Sequence, residues 1–160
     1  MTIRIEFIQN KDMPFLWDML YEMIYMPKDK PLKEELLSRP EIRNLLDGWG
    51  RQGDKGFVAF NELNQPVGAA WYRLFDEQNK GYGFIDHKIP ELDIALLQHY
   101  TGLGIGTMLL EKLLDQASTD GYNAISLSVD PENKAMNLYK KFGFVKVGES
   151  GTSWTMKLDL

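Results

Sequence analysis

Residues 101 to 107 read Thr101-Gly102-Leu103-Gly104-Ile105-Gly106-Thr107, placed between an apolar stretch that ends at Leu97 and a segment with helical periodicity. Glycine at alternate positions in front of a helix leaves successive backbone N–H groups uncovered, and the helix dipole adds positive potential there. Such a turn is built to receive a phosphate or, equally, to let two backbones pack closely. Spacing narrows the choice. A Walker loop ends in Gly-Lys-Ser/Thr, whereas Gly106 is followed directly by Thr107 with no lysine. The dinucleotide fingerprint spaces its glycines one, three, six and opens an early βαβ unit, whereas these lie at 102, 104 and 106, late in the chain.

The segments around this turn predict a mixed α/β domain. Ile3, Ile5 and Phe7 alternate with Arg4 and Glu6 as in a half-buried strand. A helix is expected from Pro14, with Phe15, Leu16, Met19, Leu20, Met23 and Ile24 at helical spacing, and a second over Leu32 to Leu46 in spite of Pro40. Gly56 to Phe60 and Val67 to Tyr72 read as a hairpin. Residues 76 to 90 form a polar loop too long for a simple turn, which marks it as a functional candidate. A strand at Leu92 to Leu97 precedes the glycines, and Ile105, Leu109, Leu113 and Ala117 share one face of the helix after them, closed by Gly121. A strand at Ala124 to Val129 leads to a helix at 131 to 142, with Asp130 as N-cap and Pro131 in its first position. Phe144 to Val147 and Trp154 to Leu158 supply the last two strands. No internal repeat or linker divides residues 1 to 160, so one domain is expected.

Composition removes several classes of function. The net charge is −5 and no basic run exceeds Lys140-Lys141, so nucleic acid is not an expected partner. There is no cysteine, which excludes an acyl-cysteine intermediate and thiolate metal sites. His87 and His99 lack His-Glu-x-x-His spacing, so no metal is expected. The N-terminus has no signal-peptide core and no apolar run spans a bilayer, giving a cytoplasmic location and no membrane partner as the expectation.

Two motifs together resemble the GNAT superfamily of acetyl-coenzyme A-dependent N-acetyltransferases. The hallmark Arg/Gln-x-x-Gly-x-Gly/Ala is similar to Thr101-Gly102-Leu103-Gly104-Ile105-Gly106, and the signature Asn-x-x-Ala-x-x-x-Tyr-x-x-x-Gly-Phe is similar to the run from Asn133 to Phe144, with Ala135 and Tyr139 within it. The resemblance implies a three-layer α/β domain in which a mixed, mostly antiparallel sheet of about seven strands is flanked by about four helices, with the fourth and fifth strands splayed. It implies acetyl-coenzyme A as co-substrate, its pantetheine arm lying in the splay against backbone groups near Ala95 and Leu96. The pyrophosphate would rest on the amides of Gly102, Leu103, Gly104, Ile105, Gly106 and Thr107, with Thr101 at the first position of that cofactor-binding motif and Asn133 reaching the cofactor arm. Thr101 departs from the usual Arg or Gln and offers no charged side chain.

Amine acetylation needs a base, an oxyanion donor and an acid. A lysine-like amine with pKa about 10.4 costs roughly 4.6 kcal/mol to deprotonate at pH 7. Glu91 and Asp93 lie two apart on one strand and so share a face. That face could equally be solvated. Glu91 is the first candidate base, with Asp93 and His87 as alternatives. The resemblance points to the Leu96 N–H as oxyanion donor and to Tyr139 as the acid that protonates the departing thiolate. Helical spacing alone would make Tyr139 a core residue, and Asn133 a helix-start residue. With no cysteine and no Gly-x-Ser-x-Gly elbow, direct attack in a ternary complex is expected.

The acceptor is a small-molecule amine or a peptide or protein amine, and its pocket draws on Tyr21, Met23, Tyr25, Met26, Trp71 and Tyr72, unless these are core. A homodimer is compatible with the sequence. Rival readings are a non-catalytic acyl-coenzyme A sensor and a domain using the same turn for ATP.

Overall fold

A computed structural model describes residues 1–160. Seven strands form one sheet in the order β1-β2-β3-β4-β5-β7-β6. They are β1 (Arg4–Phe7), β2 (Lys55–Phe60), β3 (Pro66–Arg73), β4 (Glu91–Leu96), β5 (Ala124–Val129), β6 (Val145–Ser150) and β7 (Ser153–Asp159). Every neighbouring pair is antiparallel except β4 and β5, which run parallel. Five helices accompany the sheet: α1 (Met13–Met23), α2 (Lys33–Ser38), α3 (Pro40–Arg43), α4 (Ile105–Thr119) and α5 (Ala135–Phe142). None is long and apolar enough to cross a membrane.

Strand alternation gives the sheet two apolar faces, each with its own core. Phe57, Ala59, Ala70, Tyr72 and Leu92 pack with Ile105, Leu109 and Leu113 of α4 on one side. Their neighbours Val58, Ala69, Trp71 and Ala95 pack with Leu16, Met19 and Leu20 of α1 and Leu36 of α2 on the other. The layered α/β architecture inferred from the motifs is therefore present, with its central hairpin paired from Lys55↔Tyr72 to Phe60↔Pro66.

Two helix expectations need correction. The single helix over 32 to 46 is two short ones, because the residue before a proline is pushed out of the helical region. Arg39 is extended, with φ −68° and ψ 125°, and α3 restarts at Pro40. The helix expected from Pro131 begins at Ala135. Asp130 instead accepts the Glu132 amide at 2.9 Å in a local turn, and Asn133 Oδ1 accepts the Ala135 amide at 3.0 Å. Two strong capping side chains in succession thus delay the helix by one turn.

The chain between α3 and β2 is held to the sheet by a buried cation. Arg73 and Asp54 are 0% and 1% exposed and pair at 2.7 Å. Arg73 also donates to the carbonyls of Asn44 at 3.1 Å and Asp47 at 2.8 Å, while Asp54 Oδ2 accepts the Gly50 and Arg51 amides. Removing one partner of such a pair strands the other in the core. Asp54→Ala is expected to cost about 3–5 kcal/mol in urea unfolding. A loss under about 1 kcal/mol would show that water reaches Arg73.

Candidate functional site

β4 and β5 touch at one register pair, Glu91↔Ser126, where the Ser126 amide donates to the Pro90 carbonyl at 2.9 Å. Beyond it they diverge. The Leu97 amide donates to Val67 of β3 at 2.9 Å. Backbone groups alternate sides along a strand, so Ala95 also faces β3, while Ile94 and Leu96 turn their N–H and C=O groups toward the gap. A Cβ on Gly68 of β3 would lie 3.1 Å from the Ala95 carbonyl oxygen, in keeping with this orientation. Both Ala95 and Leu96 line the cleft, but the Leu96 backbone is turned toward the gap while that of Ala95 serves β3.

The gap opens into a cleft of about 960 Å³. At one end lies the glycine turn. Gly102 and Gly104 have φ of +74° and +85°, a region glycine enters without strain, and a Cβ on either would meet nothing within 4 Å. The first intrahelical bond of α4 runs from the Met108 amide to Gly104 O at 3.1 Å. The amides of Ile105, Gly106 and Thr107 precede it and are first-turn donors without helical partners. Open space over such donors fits an anion. Leu103 is solvent-exposed and the Ile105 side chain is fully buried, so these two offer backbone only. The Thr101 hydroxyl donates to Gln98 O at 2.9 Å, within the 3-10 turn Gln98–Tyr100.

α5 borders the cleft with Asn133, Lys134, Ala135, Leu138 and Tyr139. Tyr139 is 6% exposed and stacks edge-on to Phe144, with ring centres 5.9 Å apart. Burial raises its pKa and the charge of Asp93 raises it further, so the phenol keeps its proton. Asn133 lines the cleft, and its Oδ1 accepts the amide of Ala135, the first residue of α5.

The strand face carrying Glu91 and Asp93 is buried, not solvated. Glu91 is 2% exposed. Its Oε1 accepts the Gly83 amide at 2.8 Å, and its Oε2 has no partner, nor have Asp93 Oδ2 and Ser126 Oγ. The cover is the 76–90 loop. A Cβ on Gly81 would lie 2.0 Å from Glu91 Oε2, and one on Gly83 2.6 Å from the backbone of Leu127, so only glycine fits at both. Burial raises the Glu91 pKa to about 7, against the opposing pull of the Gly83 bond. Burial and then the Glu91 charge push Asp93 well above the usual carboxylate range, with Arg73 acting the other way.

His87 is corrected as a candidate base. It is exposed, 3.6 Å from Asp86, and borders a separate depression with Gly121 and Tyr122. Of the proposed acceptor residues, Met23, Tyr25 and Met26 line the cleft, Trp71 and Tyr72 are fully buried core, and Tyr21 lies outside it with its hydroxyl on Pro31 O. Sequence reasoning missed Glu22, Ile42, Leu45 and Tyr82, which complete that wall. Only the paired glycines around Tyr82 marked the loop as packed against something.

The acetyltransferase (GNAT) family model matches residues 17–144. The chain belongs to that family. Its sequence is 42% identical over 55 residues to the ribosomal protein bS18-alanine N-acetyltransferase of Haemophilus influenzae, covering 34% of this chain and 38% of that protein. It is 35% identical over 80 residues to the probable N-acetyltransferase san of Drosophila melanogaster, covering 49% and 40% respectively. The matches thus span about two-fifths of each relative's length. The fold is shared with the PaiA N-acetyltransferase of Thermoplasma acidophilum in complex with coenzyme A, at TM-score 0.70 and 21% identity over 100% of both chains. It is shared also with the GNAT domain of S. lividans PAT, at TM-score 0.74 and 17% identity over 100% of this chain and 92% of that one. The family and fold implied by the two motifs are therefore correct, and acetyl-coenzyme A is the co-substrate that family uses.

A methyl group at Gly104 would force a left-handed alanine at the residue that opens α4 and disturb the amides that follow it. Gly104→Ala is expected to weaken coenzyme A binding at least tenfold by calorimetry while costing about 1–2 kcal/mol of stability. Unchanged affinity would remove the turn from the binding site.

Proposed function

We propose that this chain transfers the acetyl group of acetyl-coenzyme A to the nitrogen of a primary amine by direct attack, with both substrates bound together. The observation that carries this reading is a buried carboxylate, Glu91, with its pKa raised to about 7 in the same cleft as the α4 amides and Tyr139. A base tuned to neutral pH is ionised often enough to act and basic enough to take a proton.

Glu91 takes the proton that the attacking nitrogen sheds, through its unpartnered Oε2. The nitrogen lone pair forms the C–N bond at the thioester carbonyl, and the Leu96 N–H faces the oxygen on which charge gathers. As the C–S bond breaks, Tyr139 gives its proton to sulfur. Burial and the Glu91 charge disfavour ionisation of Asp93, so the base is assigned to Glu91. The diphosphate rests on the amides of residues 102 to 107, and Asn133 meets the cofactor arm.

Activity should follow the ionisation of Glu91. Expressed per unprotonated amine, kcat/KM is expected to fall about tenfold per pH unit below about 7 and to level above it, and Glu91→Gln to lower it about 10²- to 10⁴-fold and abolish that inflection. Stability has the opposite sign. A carboxyl whose pKa rises from 4.5 to about 7 on folding favours the native state at low pH and loses that contribution as pH rises through 7. Glu91→Gln should therefore raise the thermal midpoint at pH 8 while it removes activity. A midpoint that falls instead would make Glu91 a structural anchor. Tyr139→Phe is expected to reduce kcat about 10²-fold or more with little change in coenzyme A affinity, and an unchanged kcat would exclude it as the acid.

A further inference from the structure

The two ends of the cleft differ in charge. At the acceptor end the floor is Glu91 and Asp93, and the wall is built from Met23 at the end of α1, Ile24, Tyr25 and Met26 after it, Ile42 and Leu45 from the α3 region, and Tyr82. Glu22 stands exposed at the rim. The only basic side chain lining the whole cleft is Lys134, which adjoins α5 at the cofactor end.

Nearby cations are already engaged. Lys30 donates to Tyr21 O at 2.7 Å and sits 4.1 Å from the centre of that ring. Arg73 is taken up by Asp54 and two carbonyls. Burial and the Glu41 charge raise the pKa of Tyr82, with Arg39 opposing them, so Arg39 lies within electrostatic reach of the rim. It pairs with Glu35 at 3.3 Å and does not line the cleft.

We infer that the acceptor is an amine whose neighbouring group is apolar and uncharged, any carboxylate being absent or masked as an amide. This rests on the acetyl-transfer reading above. The floor carboxylates suit an ammonium or amine, and the Met, Ile and Leu walls suit a hydrocarbon group beside it. A free α-carboxylate would be carried in two bonds from the nitrogen, against the Glu91 carboxylate and beside the buried Asp93, without a cation to meet it. Like charge and lost hydration both oppose that. A hydroxylated amine would give up its water shell against a wall that is mainly hydrocarbon, with the Tyr25 and Tyr82 hydroxyls its few polar groups. The class includes simple alkylamines and α-amino amides such as the first residue of a peptide, and it excludes free amino acids.

The test compares leucine, leucinamide, isopentylamine and ethanolamine as acceptors at saturating acetyl-coenzyme A, with kcat/KM expressed per unprotonated amine. Leucinamide and isopentylamine are expected to release coenzyme A, with leucine about 100-fold poorer than leucinamide and ethanolamine at least about tenfold poorer than isopentylamine. A leucine deficit under tenfold, or ethanolamine as the better acceptor, overturns the inference and leaves acetyl transfer standing. Met26→Arg places a cation on the wall and should cut the leucine deficit to under tenfold, and an undiminished deficit overturns the charge argument. Release with none of the four amines, in protein that still binds coenzyme A, sinks the acetyl-transfer reading and this inference with it.

Discussion

The gap between β4 and β5 is the constraint on which the rest of the site depends. Adjacent parallel strands normally satisfy each other's backbone groups along their whole length. Here each is committed elsewhere. β4 pairs with β3 from Glu91 to Leu96, and β5 pairs with β7 from Ala124 to Val129, leaving a single shared position, Glu91↔Ser126. The outward backbone of Ile94 and Leu96 thereby faces a space bounded by α4 and α5 at one end and by α1 and α3 at the other. An extended chain lying in that space would complete the interrupted ladder, much as an added strand completes a sheet edge.

The same gap explains why a carboxylate can be buried yet remain usable. Gly81 and Gly83 let the 76–90 loop settle on Glu91 and on the β5 backbone, with one amide donated to one carboxylate oxygen. That bond is too little to offset desolvation, so the group stays poised near neutrality. Folding stability is given up for reactivity at this point. The compensation lies in two full cores on either side of the sheet and in the Arg73–Asp54 clamp, which also fixes the wall carrying Ile42 and Leu45.

Much of this was legible in the chain itself. The turn at Gly102, Gly104 and Gly106, the helix face of Ile105, Leu109 and Leu113, and the tyrosine at 139 are local patterns whose meaning survives without tertiary context. Alternation also put Glu91 and Asp93 on one face. It could not say that the face is covered, because the cover comes from a loop and from α1, distant in sequence. His87 failed as a base for the converse reason, since loop residues carry no periodicity that fixes where they lie. The late start of α5 shows two caps in competition, with Asp130 turning the chain before Asn133 opens the helix. Which backbone groups of β4 face the gap depended on its register with β3, which is why Ala95 and Leu96 had to part company.

The central claim is that the coenzyme lies along the β4 gap with its diphosphate on the amides that open α4. Backbone amide NMR during titration with coenzyme A reads those groups one by one. The account predicts the largest shifts at Ile94, Leu96 and residues 102 to 107, with Ala95 and the β2–β3 hairpin little changed. Saturable binding that left the amides of Gly104, Ile105 and Gly106 unmoved would contradict it.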